Sequence, residues 1–212
     1  MSRQTCPACC RPPAYCYCSR ITNVVNTWPV FILQDVREAR HPIGTARIAT
    51  LSLSRAEMAA LDPASPDKSA DFLDSIFSRP LINPALIYPG DDASPLHDLA
   101  PGGSYAGGPR DLLFIDASWG RSLRMMKVFP ALGALPLYAF TDIPVSRYRI
   151  RKQPTAGAVS TLEAIAYVLQ QVEADLDCQP MLATMDWVID QQIKRMGSEI
   201  YHRNYPQNVP LK

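Results

Sequence analysis

Leu112-Leu113-Phe114-Ile115 sets four large apolar residues in a row between Asp111 and Asp116, and no other stretch constrains the fold as strongly. Consecutive side chains of an extended backbone point to opposite sides, so such a strand is buried on both faces, as in a parallel sheet covered by helices. Further short runs predict companion strands: Pro29-Val30-Phe31-Ile32-Leu33-Gln34, Pro84-Ala85-Leu86-Ile87-Tyr88-Pro89 and Leu135-Pro136-Leu137-Tyr138-Ala139-Phe140. Apolar residues recur at helical spacing over Ile43–Leu53, from near Trp119, after Ser160, and from about Met181 to Met196. Leu123, Met126 and Val128 or Phe129 are expected to bury the helix after Trp119. Ser160 with Glu163 is a capping-box pattern, and Gly197 is placed to end the last helix. Residues 57–80 read as an acidic helical connector with Phe72, Leu73, Ile76 and Phe77 on one face, and 90–109 as a long surface loop. The fold class is α/β, a mostly parallel sheet with flanking helices.

The chain's 212 residues, 47% of them hydrophobic, suffice for one proper core. A net charge of +1 conceals local basic clusters. Arg147, Arg149, Arg151 and Lys152 surround Tyr148 and Ile150, and Arg121, Arg124 and Lys127 recur at three-residue spacing. A polyanion needs only a local patch, so the neutral total leaves nucleic acid open as a partner. No apolar run approaches the ~20 residues of a membrane span, and no signal-peptide core opens the chain; the reading is a cytoplasmic protein without a membrane partner.

Five of the six cysteines fall in Cys6-Pro7-Ala8-Cys9-Cys10-Arg11-Pro12-Pro13-Ala14-Tyr15-Cys16-Tyr17-Cys18. Cys6, Cys9, Cys16 and Cys18 make two close pairs, and four thiolates can close a tetrahedral Zn²⁺ site that folds a segment without a core of its own. A reducing compartment favours metal over disulfides, while the spacing leaves Cys9 and Cys10 interchangeable as ligands. Residues 1–25 are thus expected to form a zinc-binding segment and 26–212 the main domain. Cys178 stands alone and reads as a buried or inert thiol.

Asp116 ends the central strand, followed by Ser118, Trp119 and a basic helix. Ligands of open α/β sheets bind outside the carboxyl ends of the strands, which makes this a candidate site. Helix capping explains the same residue types equally well. Gly44-Thr45 before a helix and the Ser160 cap offer backbone N–H groups to an anion, and plain capping accounts for both of them too.

Taken together, Cys16-Tyr17-Cys18, Gly44-Thr45-Ala46-Arg47, Asp116-x-Ser118-Trp119, Tyr148-Arg149-Ile150-Arg151 and Ser160-Thr161-x-Glu163-Ala164 occur in the order of the DTW-domain proteins, and the chain resembles that family from about Cys6 to Leu169. Ser118 stands where the family has Thr in its Asp-x-Thr-Trp signature. The family's His-Pro-x-Glu step after the first strand is Asp35-Val36-Arg37-Glu38 here, which keeps only Glu38. The resemblance implies a tRNA-uridine aminocarboxypropyltransferase related to the SPOUT class, whose C-terminal knotted loop binds S-adenosylmethionine; here that loop would run from Pro154 to Thr161. It further implies Thr45, Arg47, Tyr148, Arg151, Pro154, Ser160, Thr161 and Glu163 as contacts to that co-substrate.

Under that resemblance, transfer to uridine N3 needs a base for the N3 proton, and Asp116 is the candidate. Ser118 is expected to orient Asp116 or contact the ligand. Trp119 is expected to stack on adenine or the target base, or to pack in the core. Arg121, Arg124, Arg147, Arg149 and Lys152 are the candidates for tRNA phosphates. Two rivals stand beside this reading: an S-adenosylmethionine-dependent RNA methyltransferase, and a non-catalytic zinc-containing RNA-binding protein.

Overall fold

The computed structural model describes residues 4–40, 44–65, 72–105, 107–142, 145–150 and 158–205. Its centre is a six-stranded, wholly parallel sheet of β1 (Val30–Asp35), β2 (Ala56–Leu61), β3 (Ala85–Ile87), β4 (Ser94–Pro95), β5 (Leu112–Asp116) and β6 (Leu137–Ala139), in the order β2-β1-β5-β3-β6-β4. The helices are α1 (Ala46–Ser52), α2 (Phe72–Ile76), α3 (Trp119–Val128), α4 (Pro130–Gly133), α5 (Thr161–Val172), α6 (Gln179–Met196) and α7 (Ser198–Asn204).

Alternation along the central strands builds two cores. Val30, Ile32, Leu112 and Phe114 face a layer containing Ile48 of α1, Ile165 and Leu169 of α5, and Met185 and Ile189 of α6. Their neighbours Phe31, Leu33 and Leu113 face Phe72 and Leu73 of α2, Met125 of α3 and Leu132 of α4. Every residue of β1 is buried, as expected of a strand sandwiched between helical layers. At the start of α5 both halves of the capping box form, and α6 ends at Gly197, whose φ of +80° suits glycine far better than a residue with a side chain.

Three expectations are corrected. Residues 57–61 of the expected helical connector belong instead to strand β2, in parallel register with β1 from Val30↔Ala56 to Asp35↔Leu61, while α2 keeps the helix over Phe72–Ile76. Ala56-Glu57-Met58-Ala59-Ala60-Leu61 is rich in helix formers, and pairing with a buried strand overrides that preference. The stretch 90–109 holds β4 and a 3₁₀ turn, Leu96–Leu99, whose two leucines are buried. On α3 the expectation fails at Leu123, which faces outward, while Phe129 is buried and Met126 and Val128 pack against the core as expected, joined by the buried Ser122 and Met125.

The cysteine segment packs against α1 and α6 rather than standing apart. Arg47 of α1 donates to the Ala8 carbonyl, Thr184 of α6 to the Arg20 carbonyl, and Arg195 of α6 to the Ala14 carbonyl. Arg195 also lies over the Tyr15 ring and Arg20 over that of Trp187. No helix among the described residues is long and apolar enough to cross a membrane.

Candidate active site and cysteine cluster

The carboxyl ends of β1 and β5 lie side by side, with Gln34 in register with Asp116. Asp116 is buried and both of its oxygens are engaged: Gln34 Nε2 donates to Oδ2 at 2.7 Å, and Thr161 Oγ1 donates to Oδ1 at 2.6 Å. Thr161 opens α5, so the carboxylate sits at the helix's positive end. Two accepted bonds leave lone pairs on a carboxylate that accepts about four, enough to take a proton from a ligand.

Asp35, the last residue of β1, is fully buried, and Arg121 of α3 closes on both its oxygens at 2.7 Å. The Nε of Arg121 is buried without a hydrogen-bond partner among the described residues. Ser118 is the N-cap of α3, but its side chain makes no capping bond; its carbonyl accepts from the N–H groups of Arg121 and Ser122. Its half-buried hydroxyl is therefore not spent on the helix. Trp119 is an exposed ring stacked on Tyr88, which follows β3.

Glu163 is buried and accepts from the N–H of Ser160 at 2.7 Å, the N–H of Arg147 at 2.5 Å and the Ser146 hydroxyl. One carboxylate thus caps α5 and pins the segment 145–150 to it. In that segment Arg147 pairs with Asp186 and Arg149 with Asp190, two acids one turn apart on α6, while Tyr148 is buried in the core. Thr45 is the buried N-cap residue of α1, and Arg47 is turned toward the cysteine segment. Arg124 is exposed on α3. Arg151, Lys152, Pro154 and the first half of the loop expected between Pro154 and Thr161, residues 154–157, lie outside the described residues.

The structure therefore brings together Asp116, Ser118, Trp119, Arg121 and Thr161 at the carboxyl end of the central strands. It adds Gln34, Asp35 and Tyr88, which sequence reasoning did not select. Their common signal is a polar or amphipathic residue closing an apolar strand, where a buried partner is required.

At the amino end, Cys6, Cys9, Cys16 and Cys18 hold their Sγ atoms within 4.8 Å of one another, with Cys6–Cys18 at 3.6 Å and Cys9–Cys16 at 3.7 Å. Sulfurs on a tetrahedral Zn²⁺ at about 2.3 Å stand roughly 3.8 Å apart, so the group fits that ion. Cys10 is exposed and lies outside the group, its backbone at φ +57° as the chain turns between ligands. Backbone N–H groups of Cys9 and Ala8 pull the Cys6 thiol down to about 6, toward the thiolate that a metal requires. Burial pushes Cys18 up to about 12 when no cation compensates.

A parallel α/β sheet with a buried, doubly hydrogen-bonded carboxylate at its strand ends and a four-cysteine knuckle packed on its helices defines the class. A family model for the DTW domain matches residues 3–193, and the chain belongs to that family. Over 176 residues it is 28% identical to tRNA-uridine aminocarboxypropyltransferase 2 of Drosophila melanogaster, covering 81% of this chain and 68% of that protein. Over 212 residues it is 26% identical to tRNA-uridine aminocarboxypropyltransferase A of Arabidopsis thaliana, covering 82% of this chain and 74% of the relative. No solved structure matches.

Proposed function

We propose that this chain is a tRNA-uridine aminocarboxypropyltransferase, moving the 3-amino-3-carboxypropyl group of S-adenosylmethionine to N3 of a uridine. The activity named for both relatives supports the reaction. The observation that carries the assignment to this site is the buried Asp116, held by Gln34 and Thr161 at the end of the central strand.

Bound S-adenosylmethionine supplies a carbon already activated by its sulfonium. Asp116 takes the N3 proton of uridine, turning a poor nucleophile into a good one. The N3–carbon bond forms as the carbon–sulfur bond breaks, and the electron pair leaves with sulfur. Gln34 and Thr161 fix the direction of the carboxylate, and orientation decides whether N3 meets the γ-carbon or the methyl. The Ser118 hydroxyl, which makes no capping bond, and the Arg121 Nε, without a partner among the described residues, are donors near the strand ends, suited to the polar end of an amino-acid-like group. Arg151 and Pro154, the further co-substrate contacts that the resemblance implies, lie outside the described residues. Cys6, Cys9, Cys16 and Cys18 would hold a structural Zn²⁺, and with four thiolates as ligands it would supply stability rather than chemistry.

Asp116→Asn tests the assignment. Transfer is lost while tRNA binding stays within about twofold, because the amide keeps the shape and loses the basicity. Wild-type turnover in that variant removes Asp116 from the mechanism.

A further inference from the structure

The outward side of α3 carries a composition that the reaction centre does not explain. Trp119 is 54% and Leu123 48% exposed, with Arg124 and Lys127 exposed beside them. At helical spacing these residues share one side of α3 and span about 12 Å of its axis. The inner face of Trp119 is occupied: its ring stacks on Tyr88 at 5.9 Å with 7° between the planes. Tyr88 is itself buried and its hydroxyl pairs with Ser122 Oγ at 3.1 Å, and Ser122 Oγ donates to the Trp119 carbonyl at 2.8 Å. The ring is thus fixed in orientation with its other face open. Charge divides in the same sense. Arg121, Arg147 and Arg149 each engage a carboxylate, whereas among the described residues Arg124 and Lys127 have no ion-pair partner.

We infer that this side of α3 binds an unpaired stretch of RNA, one base stacked on the outer face of Trp119 and the adjoining phosphates lying over Arg124 and Lys127. The inference rests on the tRNA-modification reading and assigns the surface that holds the strand to the outward side of α3. Bases within a duplex are stacked on one another and offer no free face to a side chain. S-adenosylmethionine carries no phosphate, and its one carboxylate is matched by Ser118 and Arg121, so two exposed cations farther along α3 are left for another anion. An unpaired strand supplies both the ring face and the anions, the combination that single-strand binders use. Trp119 follows Asp116 by three residues, so a strand seated there passes directly by the reacting carboxylate.

The test uses the full chain without co-substrate, titrated with single-stranded oligouridylate and with an RNA duplex. Trp119→Ala weakens oligouridylate binding about tenfold or more, and Trp119→Phe stays within about threefold of wild type. Oligouridylate quenches the fluorescence of the wild type but not of the folded Trp119→Phe variant, a readout that does not depend on how well the alanine variant folds. Arg124→Gln and Lys127→Gln each lower the slope of log affinity against log salt by about 0.7. The duplex binds more weakly than the single strand. Trp119→Ala binding as wild type, equal binding of duplex, or no single-strand binding by the wild type overturns the inference. Product formation on tRNA is scored separately. Normal product with Trp119-independent binding rejects the stacking face alone, and Trp119-dependent binding without product rejects the transferase reading alone.

Discussion

Thr161 Oγ1 donates to Asp116 Oδ1 at 2.6 Å, so the first residue of α5 holds the last residue of β5 across 45 positions of sequence. The bond ties the Ser160–Glu163 cap, the segment clipped to Glu163 and the carboxylate at the end of β5 into one unit.

Removing the donor leaves Asp116 in place but held by Gln34 alone. Thr161→Val is therefore expected to lower the rate of transfer by about 10–100-fold with little change in the KM for tRNA, and Thr161→Ser to recover most of it. Steady-state kinetics on all three proteins check this; a loss confined to KM would assign Thr161 to binding instead.

Arg121 neutralises a fully buried Asp35. Arg121→Ala leaves that charge unpaired, and an unfolding loss of about 3 kcal/mol is expected. The double variant Asp35→Asn, Arg121→Gln recovers most of it. Denaturant melts compare the three proteins, and equal stability of wild type and Arg121→Ala contradicts the pairing.

The cysteine knuckle predicts about one zinc per chain. Cys16→Ser abolishes metal binding and loosens the contacts to α1 and α6, whereas Cys10→Ser keeps the metal, since Cys10 lies outside the sulfur cluster. Elemental analysis of the purified variants reads both outcomes directly.

Cys178 is fully buried, and burial pushes its thiol up to about 12. Only thiolates react quickly with alkylating reagents, so at pH 8 the native protein is expected to leave Cys178 unlabelled and to label the exposed Cys10. Peptide mapping after alkylation checks the order, and unfolding should make Cys178 reactive.

Legibility in the sequence followed the strength of local pattern. Leu112–Ile115 reads as a doubly buried strand because four apolar residues admit little else, and Ser160 with Glu163 reads as a helix start because the cap is local chemistry. Asp116, Ser118 and Trp119 were legible through their place after that strand and through a motif. β2 was not, because Ala, Glu, Met and Leu carry no strand signal and its pairing with β1 is a tertiary decision. The outward turn of Leu123 escaped for a similar reason: periodicity sets a spacing, and packing under the sheet sets the phase. The partners of Asp35, Arg147 and Arg149 lie 86, 39 and 41 residues away, beyond any local rule.

The most direct measurement is mass spectrometry of nucleosides from unmodified tRNA incubated with the protein and S-adenosylmethionine, beside an Asp116→Asn control. The account predicts a uridine heavier by one aminocarboxypropyl group with the wild type only. A uridine heavier by a methyl group would contradict the regiochemistry, and no new nucleoside from folded, zinc-loaded protein that binds the tRNA would contradict the catalytic reading itself.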